Sequence, residues 1–580
     1  MAAVEYDRHE HDVIVIGAGG AGLRAAIEAS AAGARTALVC KSLLGKAHTV
    51  MAEGGIAAAL GNVDPDDAGR IHFQDTLFGG KYLNNWRMAE LHAREAPDRV
   101  RELERWGGIF DRTPEGRMSQ RAFGGHTYRR LVHIGDRTGL ELIRTLQDKA
   151  VHQGIDVFME CTITRLLKDG DRVCGAFGYW RATGRFVVFS ARAVVLATGG
   201  AGKCYRITSN SWESTGDGHA LAYDAGVELI DMEFVQFHPT GMVWPPGVEG
   251  LLVTEAVRGE GGILRDSNGE RFMERYDSKR MELSTRDVVA RAIYTEVKEG
   301  RGSPRGGVFL DVSHLPEATV KRKLPSMYAQ FHELAGVDIT REQMEVGPTC
   351  HYFMGGMRVE ADTAATKIPG LFGAGECTGG MNGANRLGGN SLSDILVFGR
   401  RAGESAAAHA AGAEPPRIDP QETAEAADEL YGLLGRHDAE DPYELHAELQ
   451  AAMQDNVGIF RDAAGLSAAV ARIEELKRRA ENVGVASTGR AFNPGWHACR
   501  DLHNLLVCAE AVTRAALRRE ESRGAHSRLD FPEYDDEFWG RHNIAVTRGP
   551  DGMRVEPVPA VTVAELAALV ERRKEEEAAR

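Results

Sequence analysis

The sequence predicts a multidomain α/β chain followed by a helical region, and three observations carry that reading. Over about the first 410 residues, short β-branched apolar runs alternate with Gly-rich turns and helical segments, the pattern of a buried parallel sheet wound with helices. The run Asp12-Val-Ile-Val-Ile16 is the first of these, closed by Gly17 and followed by the helical LRAAIEASAAG. Beyond Pro415, Pro416 and Pro420 the period changes: Leu466, Val470, Ile473 and Leu476 recur at helical spacing with charges between them. Helices are expected to dominate from there to about residue 520.

The first strand leads into Gly17-Ala18-Gly19-Gly20-Ala21-Gly22, a G-x-G-x-x-G match in the strand, turn and helix context it requires. Gly17 permits the tight turn, Gly19 lets the backbone approach a pyrophosphate, and Gly22 lets the helix pack against the strand. The helix N-terminus then faces the negative charge, so a dinucleotide site is predicted. The second strand, TALVCK, ends at Lys41, where a simple Rossmann reader often places a carboxylate for the ribose hydroxyls. Plain NAD binding is disfavoured. Two later segments compensate: Ala193-Val-Val-Leu-Ala-Thr-Gly-Gly200, and Pro369-Gly-Leu-Phe-Gly-Ala-Gly-Glu376. Glu376 either takes the ribose or pyrophosphate side of the cofactor or caps the next helix. The Ala-rich AGESAAAHAAGAE, running into the three prolines, reads as a linker. Thr562 with Glu565 resembles a capping box that opens a last charged helix, solvated or facing a partner.

The 580 residues carry 69 Lys+Arg against 84 Asp+Glu, a formal net charge of −15, which disfavours nonspecific attraction to nucleic acid or to an anionic membrane surface. Charge interrupts every apolar stretch before the roughly 18 to 20 residues that a bilayer crossing needs. The opening MAAVEYDRHEHD has no apolar core of a secretory signal, so a reducing, cytoplasmic setting is expected. No two of the eight cysteines form C-x-x-C, so no metal site is predicted, and any iron–sulfur cluster belongs to another chain.

The candidates for chemistry lie on Gly-rich loops. They are His48 in HTVMAEGG, Gln236-Phe-His238-Pro-Thr-Gly, Thr254-Glu255-Ala-Val-Arg258, Thr285-Arg286-Asp287, His351-Tyr-Phe-Met-Gly-Gly, and Asn385-Arg386-Leu-Gly-Gly-Asn-Ser391-Leu392. Singly, each is read as readily as a buried salt bridge, a helix cap or a core imidazole. Together, two guanidiniums, two imidazoles and a hydroxyl suit a molecule with two carboxylates, since Arg offers a bidentate fork and His a directional donor.

At this point the chain resembles the flavoprotein subunit of succinate dehydrogenase and fumarate reductase over nearly its whole length. The motifs GAGGAG, HTVMAEGGI, QRAFGG, TGDG, QFHPTG, TEAVRGEGG, RDVVAR, HYFMGG, AGE, NRLGGNSL and ESRGAHSRLDFP carry the resemblance, in that order. It implies a Rossmann-like FAD-binding domain (1–233 and 349–412), an inserted α+β capping domain (234–348), a helical domain (420–535) and a C-terminal segment (536–580). It implies FAD bonded covalently to His48. Asp217, Glu376, Ser391 and Leu392 contact it beside the Gly17 to Gly22 turn, with Lys41, Thr49, Gly54 and Gly55 in the same cofactor set. His238, Thr254, His351 and Arg386 hold the dicarboxylate. Arg286 moves the proton through Glu255 to Arg258, for which a structural Glu255–Arg258 ion pair at helical spacing is the alternative.

The implied reaction is succinate oxidation to fumarate, with electrons passed to an iron–sulfur subunit, then through a membrane anchor subunit to quinone. The chain is then expected on the inner face of the cytoplasmic membrane, held there by its partners. Alternatives are fumarate reduction, L-aspartate oxidase and a catalytically silent flavin-binding subunit. Against the oxidase, Phe123 stands where that enzyme carries a Glu for the substrate ammonium, and His48 is present. Two departures mark a distinct branch: Glu53, where much of the family has Gln, and Leu140, where a His is common.

Overall fold

The structure is a computed structural model and describes residues 6–561, so the capping-box reading at Thr562 and Glu565 lies outside the described residues. The predicted first strand is longer than its apolar run and spans Tyr6–Ile16. Its Val13–Ile16 half is paired on both sides, with Thr36–Val39 and Ala193–Leu196, and must be apolar. Its polar Tyr6–His11 half pairs only with Phe186–Ala191, which leaves room for polar side chains.

Seven strands form this main sheet. In order they are Asp156–Phe158, Thr36–Val39, Tyr6–Ile16, Phe186–Leu196, Arg172–Trp180 and Cys161–Asp169, with Leu371–Gly373 also pairing parallel to Phe186–Leu196. The four strands around Tyr6–Ile16 run parallel and the last two antiparallel, so the sheet is mixed, as in the α/β class predicted. Helix Gly20–Ala31 and the long helix Asn390–Gly412 pack against each other and on this sheet. The three parallel strands that end near Ile16, Val39 and Leu196 open at their carboxyl ends onto one cavity, where α/β sheets place their ligands.

A second, antiparallel sheet runs in the order Val235–Met242, Met344–Phe353, Val308–Asp311 and Ile263–Arg265. With helix Arg286–Lys298 it encloses its own apolar core, which includes Val257, Ile293, Leu310 and Val346. We propose that this body is the capping domain of residues 234–348, between FAD-binding parts 1–233 and 349–412. Strand Met344–Phe353 runs through the second boundary, so the connection there is a continuous strand.

The Ala-rich stretch is not the linker that its composition suggested. It forms the last turns of the helix Asn390–Gly412, burying Ala406, Ala407 and Ala410, because Ala is the strongest helix former. Only residues 413–419 connect. Helices Pro420–Tyr431, Pro442–Asn456, Ala463–Ala480 and Pro494–Arg518 follow, which we propose as the helical domain 420–535. In the third of them Leu466, Ile473 and Leu476 are buried as expected, while Val470 turns half outward and Ala469 takes its place. In the segment 536–580, the hairpin of His542–Gly549 and Gly552–Pro559 returns to pair with Leu229–Ile230.

Candidate active site

The cavity at the sheet edge is lined by Gly17, Ala18, Gly19, Gly20 and Ala21, by Lys41, His48, Thr49 and Asp217, and by His351, Glu376, Arg386, Ser391 and Leu392. Fourteen residues named from the sequence therefore share one space. Gly22 lies beneath it: a Cβ there would sit 1.8 Å from the Gly17 carbonyl oxygen, while Gly17, at φ +109°, would place one 2.2 Å from that of Ala197. At the helix N-cap, Gly19, no side chain takes the free N–H groups, although the Gly20 N–H donates to Thr49 Oγ1 at 3.2 Å. This uncapped end suits an anion.

Lys41, at the end of the second strand, lines the cavity. Its ammonium donates to Thr215 Oγ1 (2.6 Å), Asp217 Oδ2 (2.9 Å) and Asp501 Oδ1 (3.1 Å). Burial alone would lower its pKa, but Asp217 and Asp501 outweigh it and raise it. Burial opposes ionisation of Asp217 too, yet Lys41 and Thr215 hold its pKa below the usual range. Lys41 thus orders Asp217 at the cavity wall. Glu376 accepts from the Phe353 N–H at 3.1 Å, and burial pushes its pKa up to about 7. A buried carboxyl with spare acceptor capacity suits the hydroxyl donors of a ribose, and the donor set as a whole fits FAD.

His48 opens the short 3-10 turn His48–Met51 and is half-buried in the cavity wall. The Ser211 N–H donates to its Nδ1 at 3.3 Å. Burial, then Lys203 and Arg386, bring its pKa down to about 4, so the imidazole is neutral. Gly54 and Gly55 continue this loop outside the cavity lining. Arg121 donates to the Glu53 carbonyl at 2.8 Å and to that of Gly54, and the Phe123 ring covers Gly54. Burial, reinforced by Asp136, raises the Glu53 carboxyl well above its ordinary pKa. Leu140 is exposed on the helix Thr138–His152, next to Gly139, whose N–H donates to the Ala52 carbonyl of the His48 loop at 2.6 Å.

The cationic groups converge next to this cavity. Arg286, first residue of helix Arg286–Lys298, donates from Nε to Glu255 Oε2 (2.8 Å) and from Nη1 to Gln236 Oε1 (3.2 Å). Arg386 donates to the same Gln236 oxygen from Nη2 at 3.0 Å, and to Ser391 Oγ from Nη1 at 2.6 Å. Its guanidinium lies 4.2 Å from the Tyr352 ring centroid. Burial, then Arg286, lower its pKa to about 9. Glu255 also accepts from the Gly124 N–H at 2.8 Å and has Arg258 Nη2 3.7 Å away. Burial opposes its charge, but Arg286 and Arg258 keep its pKa low.

The rings of His238 and His351 lie 5.1 Å apart. Both have pKa values well below the ordinary one, through burial and then Arg286, so both are neutral. Ser209 Oγ lies 2.8 Å from His351 Nδ1 and also donates to the Cys350 carbonyl at 3.3 Å, which fixes the ring beside the cavity. His238 Nδ1 has the Thr240 N–H at 3.2 Å and the Thr240 carbonyl at 2.8 Å. Thr254 is buried, and its Oγ1 accepts from Ala256 N at 3.3 Å, leaving its own proton to donate.

Gln236, Ser209 and Tyr352 were missed as site residues. Gln236 had a signal: it stands two positions from His238 on one strand, hence on the same face. Ser209 lies in a loop with no motif around it.

Comparison with known proteins places these residues in context. A family model described as FAD binding domain matches residues 12–392, and one described as Fumarate reductase flavoprotein C-term matches residues 446–574. Over 536 residues the chain is 49% identical to a fumarate reductase (CoM/CoB) subunit of Methanothermobacter marburgensis, covering 92% of this chain and 97% of that one. It is 39% identical over 563 residues to the succinate dehydrogenase flavoprotein subunit of Coxiella burnetii, covering 92% and 94%. A solved structure of Mycobacterium smegmatis Sdh1 in complex with UQ1 superposes with a TM-score of 0.86 at 56% identity, covering 96% of this chain and 95% of that one.

Proposed function

The chain belongs to the flavoprotein family of succinate dehydrogenase and fumarate reductase, FAD-dependent oxidoreductases, and from that premise we propose that it oxidises succinate to fumarate. The observation that carries this is the meeting of Arg286 and Arg386 on one Gln236 oxygen beside the cavity that fits FAD. Two buried cations facing two neutral imidazoles, with Glu255 already engaged, call for an anionic ligand. In this reading Arg386 grips one carboxylate, Thr254 donates its hydroxyl proton, and His238 and His351 line the substrate around them.

Bound FAD supplies the hydride acceptor. Gly17 to Gly22 and the helix behind them hold its pyrophosphate, Asp217, Glu376, Ser391 and Leu392 line its berth, and His48 is its attachment residue. The proton on the neighbouring carbon needs a base fixed at close range. Arg286 takes that role because its Nε–H already points at an ionised carboxylate. In the relay Arg258 first releases a proton outward and then takes one from Glu255, Glu255 takes one from Arg286, and Arg286 is left able to accept the one that leaves carbon. The cap closing over the substrate excludes water from this exchange.

Substrates with an ammonium fit poorly. Phe123 is buried and apolar, and the neighbouring guanidinium of Arg121, 5.8 Å from its ring, repels a cation. A silent scaffold has no use for a buried cluster whose desolvation costs stability. The same groups serve fumarate reduction, so succinate oxidation and fumarate reduction are to be measured side by side on the purified complex with artificial dyes. No turnover in either direction overturns the reading.

Two further results are expected. Acid precipitation of the matured protein should carry the flavin into the pellet through His48; flavin found wholly in the supernatant removes the covalent link. Among the described residues of this chain no group of three or more His, Cys, Asp or Glu side chains could hold a metal ion, and no helix is long and apolar enough to cross a membrane. Its electrons therefore go to a partner that carries iron–sulfur clusters and on to a membrane anchor, which keep it at the inner face of the cytoplasmic membrane. The isolated chain should reduce dyes with succinate but leave a membrane quinone untouched, and quinone reduction by this chain alone contradicts the partner assignment.

A further inference from the structure

We propose that Arg291 is a positioning residue, which latches the cap helix that carries Arg286 to the loop that carries Arg386 through the turn Arg523-Gly524-Ala525-His526. The inference rests on the succinate reading above and deepens it. Arg291 lies on helix Arg286–Lys298, one turn past Asp287, and its Nη2 donates to Asp287 Oδ2 at 3.1 Å. Such an i,i+4 pair is ordinary helix stabilisation. Its other bond is not local: Nη1 donates at 2.8 Å to the carbonyl of Gly524, 233 positions away.

The far side of the same turn holds the substrate loop. The Ala525 N–H donates to the Ala384 carbonyl at 2.9 Å, two residues before Arg386. Gly524 has φ +56°, and a Cβ there would lie 2.4 Å from the Ala384 oxygen, so both the turn and the close approach demand glycine. The turn is closed by mutual backbone bonds between Arg523 and His526, of 2.7 and 3.0 Å.

The turn is anchored from behind. Arg523 donates twice to Glu521, at 2.8 and 2.9 Å, and Arg519 joins Glu521 (3.0 Å) to Glu233 (2.6 Å), all of them buried. Arg461 Nη1 donates to the Glu233 carbonyl at 2.8 Å and meets His526 Nδ1 at 2.9 Å. Glu233 stands just ahead of strand Val235–Met242, on which Gln236 and His238 lie. One rigid turn thus ties together the strand of Gln236, the loop of Arg386 and, through Arg291 alone among these bonds, the helix of Arg286. Helix Arg286–Lys298 also packs directly on the strand of Gln236, and the bond from Arg291 adds the registration of that helix against the loop of Arg386, so that one Gln236 oxygen meets both guanidiniums.

The test uses the purified holo-complex with Arg291→Ala and Arg291→Lys. Arg386 and the two imidazoles stay in place, so KM for succinate and malonate affinity should stay within about threefold, while kcat falls about tenfold because the proton-transfer group drifts. Arg291→Lys, which still reaches the Gly524 carbonyl, should recover most of kcat. Hydrogen–deuterium exchange should quicken in residues 286–298 of the alanine variant with flavin content unchanged. Parental kcat, or unchanged exchange in that helix, overturns the latch. If Arg291→Ala does not fold, Arg291→Gln is read on the same two measurements. A parent complex without succinate turnover sinks the functional reading instead, and the exchange result still judges the latch.

Discussion

Arg286→Lys should lower kcat for succinate by about two to four orders of magnitude, while malonate affinity changes little and the flavin stays bound. The guanidinium makes two bonds at once, Nε to Glu255 and Nη1 to Gln236. A lysine ammonium is a single point of charge and cannot span both. Placed on Glu255 it loses Gln236, and placed on Gln236 it breaks the link to the carboxylate that receives the proton. Loss of a mere clamp raises KM instead. Measuring kcat, malonate affinity and flavin content together separates the two roles. Should Arg286→Lys keep near-parental kcat and lose only affinity, Arg286 becomes a substrate ligand and Glu255 is the first place to look for the base.

Arg386→Ala should weaken malonate and succinate binding ten- to a hundredfold, the equivalent of about 1.5 to 3 kcal/mol for a lost charge-assisted bond. The side chain lies between Ser391 Oγ, Gln236 Oε1 and the face of Tyr352, so its removal also strips two buried polar groups of a donor. FAD content should survive. Arg386 has its pKa lowered to about 9 by burial and by Arg286, and its charged form is the one that binds an anion. Parental affinity for malonate should therefore decline as pH rises through about 9, and the alanine variant should lack that limb. A variant that binds malonate as the parent does places Arg386 away from the substrate.

Much of the site was legible because motifs with a backbone mechanism are local. The turn Gly17 to Gly22 is set by its own segment: Ile16 ends the strand, Gly22 must clear the Gly17 carbonyl, and the helix follows. Lys41 shows the opposite case. The second strand placed it at the cavity, but its partners there, Asp217 and Asp501, lie 176 and 460 positions away and could not be read from its own segment. Gln236 was read as part of a motif and not as a participant. Its role exists only where the guanidiniums of Arg286 and Arg386, 100 positions apart, reach one oxygen. The Ala-rich stretch before Pro415 failed as a linker for a simpler reason: composition marks a boundary, but helix propensity and a buried face decide which side of it a residue joins.

By itself the sequence determined the class of fold, the place of the dinucleotide turn, the family and the kinds of side chain offered to a dicarboxylate. These follow from periodicity, glycine sterics and residue type, which act over a few residues and survive any arrangement of the rest. The tertiary structure alone decided which charges meet. Whether Glu255 is ionised, whether His238 and His351 are neutral, and which helix a carbonyl at Gly524 holds depend on burial and on partners far along the chain. Electrostatic interactions are set by distance through space and by exclusion of water, and neither quantity is written in the order of residues.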